Sequence, residues 1–136
     1  MTDRPPDPAA AAEVAAAYLG SFATGDPDEV ARHVTDDFVN EHTAALGSGC
    51  VGRDEYRRRL PGFLAGFPGL AYEVEQLIAE GDRVAAVYRM SAQPSEGPVD
   101  IRGVMVIEVR DGLVAHRTDY WDSLVYLRQT NQTHLA

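Results

Sequence analysis

The Asp111-Gly112 pair separates two stretches in which apolar and polar residues alternate, Val99 to Val109 and Leu113 onward. An Asp-Gly pair in this setting is typical of a β-hairpin, because both residues tolerate the left-handed backbone of a tight turn. A similar turn, Glu80-Gly81-Asp82, separates two earlier alternating stretches. The second half of the chain is therefore predicted to be a meander of long strands.

The first half of the chain has helical patterns instead. Apolar residues recur at i, i+4 spacing after Pro8, with Gly25 as a stop, and Asp26 before Pro27 is typical of a helix N-cap. The predicted elements of this half are helices from Pro8 to Ala23, Pro27 to Val34 and Arg53 to Phe67, and a strand from Phe38 to Thr43. Helices followed by a strand meander predict an α+β domain, with helices packed on a curved sheet that leaves a concave interior for a ligand.

Composition limits the functions open to the chain. It has 136 residues, a formal net charge of −9 and a single cysteine, and all 12 of its basic residues are arginine. The absence of lysine excludes Schiff-base chemistry and a P-loop. The acidic balance argues against nucleic acid and anionic membranes as partners, because both are bound mainly by clustered positive charge.

Length and patterning predict a single domain over residues 9–128. Residues 1–8, with three prolines and mixed charges, are expected to form a disordered arm, and residues 129–136 a short tail. The beginning of the sequence does not resemble a signal peptide, and no apolar run approaches the ~20 residues that cross a bilayer. We therefore expect a cytoplasmic protein.

Asp119 is the first candidate for chemistry. Alternation along the last strand places it on one face with Ala115, Arg117 and Trp121. This face begins with apolar residues and continues with ionisable ones. Such surroundings can make a carboxylate a useful proton carrier. A surface ion pair between Arg117 and Asp119 is an equally open interpretation.

A second polar pair lies on the predicted early strand, where Asn40 and His42 share a face with Phe38. Together these two side chains could hold a carbonyl or enolate oxygen, although a structural role for His42 stays open. No spacing typical of a metal site occurs among the four histidines, and no cofactor is expected. Most large apolar residues are expected in the core, with Tyr88 and Trp121 lining a cavity.

Several segments resemble the SnoaL-like branch of the nuclear transport factor 2-like superfamily. They occur in a fixed order over residues 10–128. The segments are Asp36-Asp37-Phe38-Val39-Asn40-Glu41-His42, Gly52-Arg53-Asp54-Glu55-Tyr56, Ala79-Glu80-Gly81-Asp82-Arg83-Val84, Val109-Arg110-Asp111-Gly112-Leu113-Val114 and Asp119-Tyr120-Trp121-Asp122. The resemblance implies a cone-shaped α+β fold, in which helices pack into a curved antiparallel or mixed sheet that encloses a pocket.

In the polyketide cyclases of that branch an acidic residue of the last long strand is the general acid/base, and Asp119 has the matching position. The resemblance also places Asn40 and His42 at pocket positions. Epoxide hydrolases of the superfamily use an Arg-x-Asp pair on a middle strand, where this chain has Tyr88-Arg89-Met90, so that reaction is not favoured. Isomerase chemistry would need a tyrosine, such as Tyr18 or Tyr88.

We therefore expect a cofactor-independent cyclase or isomerase that acts on a small, polyketide-like or other hydrophobic carbonyl compound. Asp119 and His42 are its predicted catalytic residues, and its predicted substrate-binding residues are Asn40, Tyr88, Trp121, Arg117, Tyr18 and Met105. A non-catalytic module that binds small molecules is the alternative. The resemblance also implies a homodimer through the outer face of the sheet, with contacts at Val104, Val106, Val114 and Tyr120.

Overall fold

The computed structural model describes residues 7–136, so most of the predicted arm lies outside the described residues. Within this range the helices are α1 (Pro8–Ser21), α2 (Pro27–Ala31), α3 (Arg53–Gly66) and α4 (Ser123–Gln129). The strands are β1 (Val34–His42), β2 (Cys50–Val51), β3 (Ala71–Glu80), β4 (Arg83–Ala92), β5 (Val99–Arg110) and β6 (Leu113–Tyr120). A short 3-10 helix comes after α1, at Phe22–Thr24, and another comes after α4, at Thr133–Leu135.

The six strands form one open, mixed sheet in the order β2-β1-β6-β5-β4-β3. All neighbours are antiparallel except β1 and β6, which run parallel and pair Asn40 with Arg117 and His42 with Asp119. Helix α1 lies against β3, β4, β5 and β6 on the inner face. The predicted α+β fold with helices on one face of a mixed sheet is confirmed.

The predicted turn and helix-capping residues have the backbone conformations and hydrogen bonds expected of them. Asp111 and Gly112 have φ values of 55° and 75°, the left-handed pair of a tight hairpin turn. Asp26 caps α2, since its side chain accepts a hydrogen bond of 2.9 Å from the backbone amide of Asp28. Gly25, with φ of 68°, ends the preceding helical segment.

The structure differs from the prediction at helix α2, helix α4 and Val114. Helix α2 ends at Ala31, because the His33 carbonyl accepts a hydrogen bond from Val114 and the chain joins the sheet at Val34. Helix α4 (Ser123–Gln129) is missing from the prediction, which gave this region no helix. Val114 is completely buried and cannot contact a partner, whereas Tyr120 is exposed on the same strand.

No helix within residues 7–136 is long and apolar enough to span a membrane.

Candidate functional site

A cavity of about 300 Å³ lies between the inner face of the sheet, the end of α3, helix α4 and the loop after β1. Its walls are mainly apolar and aromatic. They are formed by His42, Leu46, Gly47, Ser48, Phe63, Phe67, Tyr72, Tyr88, Met90, Ile101, Asp119, Trp121 and Tyr126. This volume and lining suit a small hydrophobic molecule.

Asp119 is the one acidic side chain among these lining residues of the described chain. It is 3% exposed, and it accepts hydrogen bonds from Tyr88 at 2.6 Å and from Arg117 at 2.8 Å, one on each carboxylate oxygen. A carboxylate can accept about four hydrogen bonds, so lone pairs remain for a bound molecule. Asp119 is therefore both paired and able to reach the cavity.

Tyr88 reaches Asp119 across an intervening strand. It lies on β4 opposite Gly103 of β5, and Asp119 lies on β6 beyond that strand. A β-carbon at Gly103 would lie 2.6 Å from Tyr88 Cζ and 2.7 Å from the Tyr120 carbonyl oxygen. Burial and the adjacent Asp119 carboxylate raise the pKa of Tyr88 well above its ordinary value, so its hydroxyl is a hydrogen-bond donor at neutral pH.

The fit of Tyr88 over Gly103 gives a testable prediction. Gly103→Ala should force the Tyr88 ring away from Asp119 and lower the free energy of unfolding by about 1–3 kcal/mol, the usual cost of overpacking a core. Urea unfolding followed by circular dichroism measures this change. Gly62→Ala is the matched control, because nothing lies within 4 Å of its β-carbon. Equal stability of both variants would contradict the prediction.

Arg117 connects Asp119 to the protein interior. Its guanidinium is 3% exposed and donates a second hydrogen bond, of 2.8 Å, to the Tyr18 hydroxyl. The Tyr18 hydroxyl in turn lies 2.5 Å from that of Tyr56 on α3. Burial by itself would lower the pKa of Arg117, but Tyr18 and Asp119 raise it, so the guanidinium stays charged. The Arg117–Asp119 pair, left open as a surface pair in the sequence analysis, is buried in the structure.

His42 faces Asp119 from β1. Its Nδ1 accepts a hydrogen bond of 3.3 Å from the Trp121 indole and lies 3.8 Å from an Asp119 oxygen. Burial and the positive charge of Arg117 lower the pKa of His42 to about 4, against the opposing effect of Asp119. At neutral pH the imidazole is therefore neutral and carries its proton on Nε2, and its contact with Asp119 is not an ion pair.

The low pKa of His42 predicts a loss of stability in acid. Between about pH 6.5 and the native value of about 4 the unfolded chain binds a proton that the folded chain does not, so stability falls as pH falls. The expected loss at pH 5 is about 2 kcal/mol. Urea unfolding at pH 8 and pH 5 measures this loss of unfolding free energy in the wild type. In His42→Gln the loss between the two pH values should be smaller by about 2 kcal/mol. The same loss in both proteins would refute the assignment.

Of the residues predicted for the site, the structure brings Asp119, His42, Tyr88 and Trp121 together at the cavity. Arg117 and Asn40 lie beside it, where they line a side chamber of about 90 Å³ together with Phe22, Cys50, Tyr56, Arg59 and Leu60. His42, Ser48 and Phe63 line both the cavity and the side chamber.

Two of the predicted substrate-binding residues line neither the cavity nor the side chamber. Met105 and Tyr18 have no exposed surface and lie in the core, so they support the site from beneath. Tyr56 and Gly103 were not predicted as parts of the site. The available signal for Gly103 was its position within an apolar strand, opposite a tyrosine of the neighbouring strand. A glycine there often marks the close approach of another group. Within residues 7–136 no group of three or more His, Cys, Asp or Glu side chains is placed to hold a metal ion.

Comparison with known proteins gives a family match and a shared fold. The SnoaL-like domain family matches residues 15–117. A Catenulispora acidiphila protein with a ketosteroid isomerase-like fold, solved with trimethylamine, has a TM-score of 0.80 at 15% identity over 88% of this chain and 92% of that chain. No curated protein matches the chain.

Two further solved structures have the same fold. An LEH-like epoxide hydrolase from M. tuberculosis gives a TM-score of 0.79 at 22% identity, with 96% of each chain covered. A candidate SnoaL-like polyketide cyclase from Jannaschia sp. CCS1 gives 0.76 at 20% identity, over 96% of this chain and 97% of that chain. At these identities the likeness extends to the fold alone.

Proposed function

Because this chain belongs to the SnoaL-like domain family, we propose that its cavity binds a small hydrophobic carbonyl compound and that Asp119 transfers a proton on it. The observation that carries the proposal is a single carboxylate in the wall of a mainly apolar cavity, with a neutral imidazole beside it. Apolar walls hold the carbon skeleton, and the few polar groups orient the carbonyl. The chemistry needs only these side chains and the substrate.

In the proposed reaction, the Asp119 carboxylate removes a proton from the carbon next to the carbonyl. The C–H electron pair passes into the C–C bond of an enolate, and Asp119 becomes a carboxylic acid. In an isomerase this proton returns to another carbon of the substrate. In a cyclase the enolate carbon attacks a second carbonyl of the same molecule, and the proton goes to the new alkoxide.

His42 is suited to stabilise the enolate oxygen. Its neutral ring carries an N–H donor on Nε2, because Nδ1 accepts from Trp121. A donor that is already positioned in an apolar site stabilises a developing oxyanion more than water does. Asn40 was expected to share this role, but it lines the side chamber and not the cavity. His42 is therefore the residue proposed to donate to the enolate oxygen.

Epoxide hydrolysis is not favoured. The resemblance implies a second acid on the middle strand, yet Arg89 of β4 is exposed and pairs with Asp100 on the outer face. Asp119 is the one acid that lines the cavity in the described chain. The M. tuberculosis hydrolase is therefore a guide to the fold of this chain and not to its reaction.

Exchange of carbon-bound hydrogen for deuterium tests the proposal directly. β-Tetralone, a compact bicyclic ketone with acidic C–H bonds beside its carbonyl, is incubated with the protein in D₂O and followed by proton NMR. Accelerated exchange at those carbons over buffer supports the proposal. Binding of the ketone is measured separately through the fluorescence of Trp121, the single tryptophan of the chain and a residue of the cavity wall.

A binding module is the second candidate function. It is favoured by the two hydrogen bonds that hold Asp119, since a carboxylate held by an arginine and a tyrosine can serve structure alone. This candidate predicts a change in Trp121 fluorescence without faster exchange. The two measurements together therefore distinguish an enzyme from a module.

A further inference from the structure

Among the side chains that line the side chamber, two buried polar atoms have no hydrogen-bond partner in the described chain. They are Asn40 Oδ1, an acceptor, and Arg117 Nε, a donor. Both side chains are more than nine-tenths buried, and their residues are paired across β1 and β6 on the inner face of the sheet. Leaving a buried polar group without a partner costs stability, so such a pair of atoms points to an occupant.

One kind of group satisfies both atoms at once. It must donate to Asn40 Oδ1 and accept from the Arg117 Nε–H, and a hydroxyl does both through a single oxygen. A carbonyl or carboxylate has no proton for Asn40, and an ammonium has no lone pair for Arg117. This combination of one acceptor and one donor therefore selects a hydroxyl group or a water molecule.

The charge balance favours a neutral occupant. Arg117 is already paired with Asp119 at 2.8 Å. Arg59, the other cation of the chamber wall, pairs with Glu55 at 2.9 Å and donates to the Gly49 carbonyl at 2.7 Å. An anionic group would gain little from cations that are already neutralised, and it would lose its hydration.

The side chamber is small and lies next to the cavity. Its volume of about 90 Å³ equals roughly three water molecules at their liquid volume of ~30 Å³ each. His42, Ser48 and Phe63 border both spaces. A hydroxyl on a ligand in the cavity could therefore enter the chamber beside His42.

From this juxtaposition we propose that the side chamber is a subsite for a hydroxyl group of the ligand, bound between Asn40 Oδ1 and Arg117 Nε. The inference rests on the proposed function, because the remainder of the ligand lies in the cavity. It narrows the substrate class to hydroxylated carbonyl compounds. Asn40 is then a specificity-determining residue, and not part of the group that holds the enolate oxygen.

The test compares β-tetralone with its ring-hydroxylated isomers by titration of Trp121 fluorescence. At least one isomer should bind about tenfold tighter than the parent ketone, the effect of one hydrogen bond to a charged donor. In Asn40→Leu, which removes the acceptor, that ratio should fall toward one. Gln76→Leu is the matched control and should keep the ratio, because it removes an exposed side-chain amide of β3 that lines neither the cavity nor the chamber.

The outcomes separate the two proposals. Binding of the parent ketone without any gain from a hydroxyl would overturn the subsite and leave the proposed function standing. A hydroxyl preference that persists in Asn40→Leu would also overturn the subsite, because the hydroxyl would then lie elsewhere. Absence of binding by every ketone would overturn both proposals. If Asn40→Leu does not fold, Asn40→Ala removes the same acceptor and gives the same comparison.

Discussion

Arg117→Met should lower the free energy of unfolding by about 3–5 kcal/mol, the cost of breaking a buried ion pair from one side. The substitution leaves the Asp119 carboxylate 3% exposed and without its cation, and it removes the donor to Tyr18. Burying an unpaired charge is more costly than losing the attraction itself. Urea unfolding at pH 7.5, followed by circular dichroism, measures the loss.

Two further variants show whether desolvation is the cause. The double variant Arg117→Met/Asp119→Leu should regain most of the lost stability, because replacing both partners by apolar groups is often neutral. Arg89→Met breaks an exposed arginine–aspartate pair of β4 and β5, and it should cost no more than about 1 kcal/mol. If Arg117→Met lowers the free energy of unfolding by no more than Arg89→Met does, the Arg117–Asp119 pair is not desolvated.

Asp119→Asn should slow the exchange of β-tetralone hydrogens about 10²- to 10⁴-fold, the range for loss of a general base. The amide has nearly the shape of the carboxylate, and its oxygen can still accept from Arg117, so the cavity should keep its form. It cannot take a proton from carbon at neutral pH. Proton NMR in D₂O gives the two rates, and Trp121 fluorescence shows whether the ketone still binds.

Asp100→Asn is the control for this substitution. It changes another aspartate that pairs with an arginine, but on the exposed outer face of β5. Its exchange rate should match that of the wild type. Wild-type exchange in Asp119→Asn would refute proton transfer by Asp119, even if the ketone binds normally.

Local patterns were sufficient to predict much of the fold. The alternation of β1 predicted that Phe38, Asn40 and His42 share one face, and in the structure Phe38 and Asn40 are buried and His42 is partly buried on that face. The Asp111-Gly112 turn and the Asp26 cap were also predicted, because each depends on the conformational preferences of neighbouring residues. These features are set within a few positions of the chain, where a single sequence carries most of the information.

Contacts between distant segments could not be predicted in the same way. The hydrogen bond from Arg117 to Tyr18 joins residues 99 positions apart, and the Tyr18–Tyr56 contact joins residues 38 apart. Nothing in the local pattern of α1 distinguishes Tyr18 as a partner of Arg117 from Tyr18 as a core residue. The same is true of Met105, whose complete burial depends on how α1 packs across the sheet.

The parallel pairing of β1 with β6 also affects how the chain acquires its structure. His42 and Trp121 are 79 positions apart, so the site forms only after a long loop has closed, and high contact order slows folding. Until β6 is synthesised, β1 and β5 each lack their neighbour and present open edges that can pair with other chains. Because β6 joins the two parts of the sheet, its detachment would dismantle the core and the cavity together, which favours cooperative loss of both.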